Sequence, residues 1–192
     1  MAADSSSSRP DIKKWSRPLA ENRLYTISTD RNLVQLDALN AAFGSDLLWW
    51  AKPLADDEML KRMLDNSLCF GLYVQQCAVE VDGVPLMTKP KMIGFARVIT
   101  DYVTFGYLTD VYVLPDYQGK GLGRWMMACL NEYLDSGWPE LRRFMLLTSS
   151  DPAAVRIYNS TLGARDIRET DTRKLVVMEK LGPAGVFKSK HP

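Results

Sequence analysis

The sequence predicts a mixed α/β layer fold built as one domain. Three observations carry that expectation. Apolar runs with strand-like alternation are interleaved with segments at helical spacing throughout residues 23–181. The apolar run from Leu108 to Pro115 breaks at a proline, passes through Gln118-Gly119-Lys120-Gly121-Leu122-Gly123 and enters a long amphipathic segment. A later helix is bracketed by Asp151-Pro152 at its start and Gly163 just past its end, residues that cap and stop helices.

The elements follow in order. Residues 1–22 open with a serine-rich stretch and read as a flexible N-terminal segment, and residues 182–192 as a flexible tail. Leu24–Ser28 alternates as a first strand. Leu33, Leu36, Leu39 or Asn40, and Phe43 keep helical spacing until Gly44 stops the helix. Asp56-Asp57-Glu58 suits a helical first turn, and that second helix continues through Leu60, Met63 and Leu64. Strands are expected over 69–76, 92–100 and 107–113, with a turn at Asp82-Gly83. Leu122, Trp125, Met126, Cys129, Leu130, Tyr133 and Leu134 form one apolar helical face, ended by Gly137. A short strand over 143–148 precedes the Asp151 helix. Two further strands, near 164–168 and 175–180, close the order β-α-α-β-β-β-α-β-α-β-β.

Composition narrows the function classes. At 192 residues, 46% hydrophobic and 24% charged, the chain can bury a core without disulfide or metal staples. A net charge of +1 gives no reason to expect nucleic acid or an anionic membrane as partner. No apolar run is long enough to span a bilayer and no secretory leader is visible, so a cytoplasmic protein is expected. Cys69, Cys77 and Cys129 have no paired spacing, which argues against zinc and disulfides, and Cys129 falls on the buried helical stripe. The only histidine is His191, near the chain's end. A Ser-His-Asp or Cys-His engine is thereby excluded, leaving carboxylates, tyrosines or water for proton transfer.

The glycine segment is the strongest chemical signal. Glycines let a backbone turn sharply and approach a ligand closely, and the following helix offers unpaired N–H groups to a phosphate. Two phosphate motifs fail here. The dinucleotide fingerprint needs a small residue where Arg124 stands, and the Walker loop needs Ser or Thr where Gly121 stands. Three glycines in five residues also suit a plain strand-to-helix turn. What remains is Gln-x-x-Gly-x-Gly at Gln118, Gly121 and Gly123 after a Val-x-Val-x-Pro strand, which resembles the acetyl-CoA loop of the GCN5-related N-acetyltransferase superfamily. The segment from Asp151 to Ala164 resembles that family's closing motif, Asn-x-x-Ala-x-x-x-Tyr before a Leu-Gly-Phe turn, with Asp151 in place of the asparagine and Ala164 in place of the aromatic.

The resemblance implies a mixed, largely antiparallel sheet flanked by helices on both faces, acetyl-CoA as cofactor and an amine as acceptor. It implies a cofactor site running from Val111, Tyr112 and Val113 through Gln118, Gly119, Lys120, Gly121, Leu122, Gly123 and Arg124 to Asp151 and Tyr158. The Val111 and Val113 backbone should pair with the pantetheine arm, and an N–H near Val111 should polarise the thioester carbonyl. Tyr158 matches the tyrosine that lies near the cofactor sulfur, where a phenol can donate a hydrogen bond or a proton to the leaving thiolate. Spacing alone would equally make Tyr158 a core aromatic.

The general base stays open. Strand alternation puts Tyr107, Thr109, Val111 and Val113 on one face and Leu108, Asp110 and Tyr112 on the other. The glutamate that several family members carry at the positions of Tyr107 or Thr109 is missing. Asp110 is the nearest carboxylate and would need a bulge to turn it inward. A structural role, bonding neighbouring backbone, suits it equally, and a water relayed through Thr109 or Tyr107 competes with it. For the acceptor, the resemblance points to Asp46–Pro53, with Trp49 and Trp50 as an aromatic lining or simple core cover, together with Tyr102–Phe105. Asp56, Asp57 and Glu58 would attract a cationic amine or merely solvate a helix start. Small-molecule and peptide or protein amines both remain open as acceptors, as does a homodimer through exposed sheet edges. A non-catalytic acyl-CoA-binding module of the same fold is the rival reading.

Overall fold

Among the described residues seven strands form one sheet in the order β1-β2-β3-β5-β6-β7, with β4 hydrogen-bonded to β3 off that path. The strands are β1 (Lys14–Leu19), β2 (Arg23–Ser28), β3 (Leu68–Val81), β4 (Val84–Met87), β5 (Lys91–Thr100), β6 (Phe105–Val113) and β7 (Arg143–Leu146). The computed structural model describes residues 11–19, 22–81, 84–170 and 177–185. Every strand pair is antiparallel except β6–β7, which is parallel. The expected class, a largely antiparallel mixed sheet between helices, is the one observed.

The helices cover both faces. On one lie α1 (Leu36–Phe43) and α2 (Asp57–Asp65); on the other lie α3 (Leu122–Gly137) and α4 (Pro152–Leu162). Alternation along β3 decides the division. Leu68, Phe70, Leu72 and Val74 join the α3 core with Met126, Leu130 and Tyr133, whereas Cys69 and Tyr73 join the α1/α2 core with Leu39, Phe43 and Leu60. Burying both faces of the central strands explains their near-continuous apolar runs. The α2 start is as its acidic residues suggest, with the Asp56 carboxylate accepting from the Met59 N–H at 2.8 Å. Asp151 caps α4 in the same way, and Gly163 closes it with φ +62°.

Four expectations need correction. The segment read as a flexible leader supplies β1, which pairs with β2 from Lys14↔Ser28 to Leu19↔Arg23. The strand expected to end near residue 76 continues to Val81 and folds back as β4, with Val81 opposite Val84; Asp82-Gly83 lies outside the described residues. The strand expected over 164–168 is absent. The Asp166 carboxylate accepts from the Arg168 N–H at 2.9 Å, a local turn that begins the short helix α5 (Ile167–Thr170) instead. Of the last expected strand, residues 175–176 lie outside the described residues, and 177–180 have no regular structure.

Candidate active site

A β-bulge in β6 organises the site. Phe95 pairs with Tyr112, yet two residues on in β5, Arg97 pairs with Thr109, so β6 carries one residue more than its partner. The extra residue is Asp110, with φ +53°, a left-handed conformation that few residues other than glycine, asparagine and aspartate adopt. The bulge reverses the alternation expected from sequence. Leu108, Val111 and Val113 pack on the α3 side, while Tyr112 packs on the α1/α2 side. Tyr107 and Thr109 therefore do not share a face with Val111 and Val113 but point with Tyr112 toward α1 and α2.

The same kink opens an edge. β6 and β7 pair from Phe105↔Arg143 to Leu108↔Leu146, which leaves Thr109–Val113 without a strand on that side among the described residues. On the other side, Leu114 donates to the Ile93 carbonyl at 2.8 Å. Main-chain groups alternate along a strand, so those of Val113 and Val111 turn toward the open edge. The Val113 carbonyl accepts from Gln118 Nε2 at 2.8 Å, which braces the glycine loop against the strand. The Gln118 side chain is thus directed to β6 rather than outward.

The loop has the shape that a phosphate seat requires. Gly119 and Gly121 have φ of +75° and +72°, and a Cβ at either would meet nothing within 4 Å, so these glycines border open space. Gly121 is the N-cap of α3 and supplies no side-chain cap; the first turn has no acidic residue. The N–H groups of Leu122, Gly123 and Arg124 are the unsatisfied donors of that helix end. Such a cradle offers main-chain N–H groups to an anion, and the open β6 edge offers main-chain groups to an extended chain. Leu122 itself is buried in the core, and Arg124 Nη1 donates to Ser160 Oγ of α4 at 3.1 Å. Lys120 lies with its ammonium 5.4 Å from the Tyr117 ring centre. Asp151 spends its carboxylate on the Ala153 N–H.

Tyr158 is partly buried on α4 and packs against the same core as Val111 and Val113. Burial raises its phenol above the ordinary tyrosine value, which keeps it protonated. Across the sheet, Asp110 is 5% exposed and already engaged. Arg97 Nε lies 2.7 Å from its Oδ2, and Thr109 Oγ1 donates to its Oδ1 at 3.2 Å. Arg97 Nη1 in turn donates to Ser67 Oγ at 3.2 Å. Sequence reasoning passed over Arg97, although a lone cation in the apolar run of β5 was a signal that a buried anion faces it.

The expected acceptor pocket divides. The turn bearing Trp49 and Trp50 follows buried Leu48 and lies beside β6, with the two rings T-shaped at 5.7 Å and 48% and 40% exposed. Tyr102 instead packs edge-on against Trp138 at the α3 side, whereas buried Leu48, just before the tryptophans, packs at the α1/α2 side. A cavity of about 420 Å³ bordered by Asp30, Ser67, Cys69 and Tyr102 sits at the end of the sheet away from the glycine loop.

The sequence profile of the acetyltransferase (GNAT) family matches residues 40–164, from α1 to the end of α4. The chain belongs to this family. A Gibberella zeae protein named as an acetyltransferase is 47% identical over 155 residues, covering 78% of this chain and 84% of that one. Thialysine N-epsilon-acetyltransferase of Sus scrofa is 35% identical over 85 residues, 42% of this chain and 48% of that one. Among solved structures, a GNAT-family chain from Xanthomonas campestris is 30% identical and covers 83% of this chain and 94% of its own, with a TM-score of 0.57. This chain is accordingly an N-acetyltransferase, of a family whose co-substrate is acetyl-CoA and whose acceptors are amines. No helix among the described residues of this acetyltransferase is long and apolar enough to cross a membrane.

Proposed function

We propose that the chain moves an acetyl group from acetyl-CoA to an amine by direct attack in a ternary complex. The open β6 edge beside an uncapped, glycine-lined helix start is the observation that carries this reading. The coenzyme supplies an activated acyl thioester; the chain supplies position and proton management. The loop from Gln118 to Arg124 holds the diphosphate, and the Val111 and Val113 main chain receives the arm as a strand would. An N–H at Val111 polarises the acyl oxygen.

The bulge gives the two proton-handling groups opposite sides of the slot. Tyr158 shares the α3 side with Val111, where its phenol donates to the sulfur as the carbon–sulfur bond breaks. An alkyl thiol titrates near 8.5 and an ordinary phenol near 10. Complete proton transfer from a raised phenol to the thiolate is uphill, so Tyr158 acts as a hydrogen-bond donor to the leaving sulfur. The amine enters from the α1/α2 side, past Trp49 and Trp50, toward Thr109 and Tyr107. Its proton leaves through water bound there. Both oxygens of Asp110 already accept hydrogen bonds, from Arg97 and Thr109, which favours a role in holding the bulge over that of base. Covalent catalysis through Cys69 or Cys129 is disfavoured, because burial pushes both thiols up to about 12.

Tyr158→Phe tests this assignment. Its expected effect is a fall in kcat of roughly ten- to a hundredfold, the worth of one hydrogen bond to a developing anion, with acetyl-CoA binding unchanged by calorimetry. Unaltered kcat would remove Tyr158 from the reaction, and wild-type protein that binds no acetyl-CoA would remove the whole reading.

A further inference from the structure

Strand β1 grips the helix that carries the glycine loop. Its inward side chains meet α3 in sequence along the helix. Lys13, just before the strand, donates from Nζ to Ser136 Oγ at 2.6 Å, and Trp15 Nε1 donates to Glu132 Oε2 at 3.0 Å. Arg17 comes last, at the α3 N-terminus. Its guanidinium lies 4.4 Å from the Trp125 ring centre, and Nη2 donates to the Lys120 carbonyl at 3.5 Å. Arg17 Nε is buried without a hydrogen-bond partner, and no carboxylate among the described residues pairs with this side chain. A partly buried cation without an anion beside it is a costly arrangement unless something recovers that cost.

The Lys120 peptide explains what Arg17 is for. It lies between Gly119 and Gly121, both left-handed and both bordering open space. Glycine has little intrinsic preference among backbone conformations, so a Gly-Lys-Gly segment does not hold its own shape. The Trp125 N–H donates to the Gly121 carbonyl, which fixes the helical side of the loop. Arg17 fixes the other side from an adjacent strand, with a planar fork that Lys lacks.

We propose that Arg17 is a positioning residue for the coenzyme A diphosphate. It holds the Lys120 peptide so that the following N–H groups converge on the phosphates, and its charge, paired with no carboxylate among the described residues, adds to the positive end of α3. This inference rests on the reading that the glycine loop holds the diphosphate.

The test compares two acyl donors, acetyl-CoA and S-acetylpantetheine, which lacks the diphosphate. Arg17→Met keeps an aliphatic stem on Trp125 and removes the fork and charge. It should raise KM for acetyl-CoA about tenfold, the loss expected for one charge-assisted hydrogen bond, with kcat and all parameters for S-acetylpantetheine unchanged. Arg17→Lys should recover only part of the loss and serves as the second variant if Arg17→Met folds poorly. An equal loss with both donors, a loss in kcat alone, full recovery by lysine, or no loss at all would overturn the proposal. If wild-type protein shows no preference for acetyl-CoA over S-acetylpantetheine, the loop reading itself fails and this inference falls with it.

Discussion

Replacing Asp110 by Asn tests whether the Arg97–Asp110 pair is a latch for the bulge or part of the proton path. Asparagine tolerates the φ of +53° nearly as well as aspartate, so the backbone can keep its shape. The charge is what changes. The two side chains are 13% and 6% exposed and meet at 2.7 Å, so neither is well solvated. Removing the carboxylate leaves the Arg97 charge unneutralised among the described residues, with Ser67 Oγ and the new amide oxygen as neutral acceptors. Breaking such a buried pair costs about 3–5 kcal/mol, which for a domain of this size lowers Tm by roughly 6–20 °C. The double variant Arg97→Met/Asp110→Asn removes both charges and should recover part of that loss, because no unpaired ion is then left buried. Two assays decide the matter: thermal unfolding for the latch, and kcat against pH for the chemistry. A latch predicts lower kcat with an unchanged ascending limb in Asp110→Asn. A protein with wild-type Tm, whose activity and ascending limb vanish together, would refute the latch and make Asp110 the base.

Gly121→Ala should cost about 1–2 kcal/mol, since a left-handed φ of +72° penalises any Cβ even where the space is open. It should also raise KM for acetyl-CoA several-fold more than it lowers Tm would suggest, because the added methyl projects into the space assigned to phosphate; equal effects on both donors would argue against that assignment. At high pH the sign is fixed by burial, which raises Tyr158 above the ordinary phenol value and pushes Tyr133, Cys69 and Cys129 up to about 12. Between the unfolded values near 8.5 for thiols and 10 for phenols and these raised ones, the folded chain binds more protons than the unfolded one. Stability is therefore full below about pH 8.5 and declines as pH rises toward 12, which alkaline melts would show. The activity of the wild type should fall only above pH 10, with a limb that Tyr158→Phe lacks.

How much of this was legible in the chain varies by element. The α3 stripe, the Asp56 and Asp151 caps and the strand–glycine–helix passage are local matters, set by periodicity and by side chains bonding N–H groups two or three residues away. They were therefore readable from sequence. β1 was not, because Lys14–Leu19 mixes lysine, arginine and proline with its apolar residues and becomes a strand only where β2 offers an edge. Likewise Asp166 turns the chain into α5, although the surrounding residues suit a strand.

The sequence by itself determined the order of the main elements, which follows from short-range propensities, and the family, which its Gln118–Gly123 and Asp151–Ala164 motifs resemble. Which side of the sheet each site residue occupies was decided only in three dimensions. A single extra residue at Asp110 exchanges the two faces of β6, and nothing local forces it. The bulge persists because Arg97, one strand away, meets the displaced carboxylate, and that contact exists only once β5 and β6 have paired.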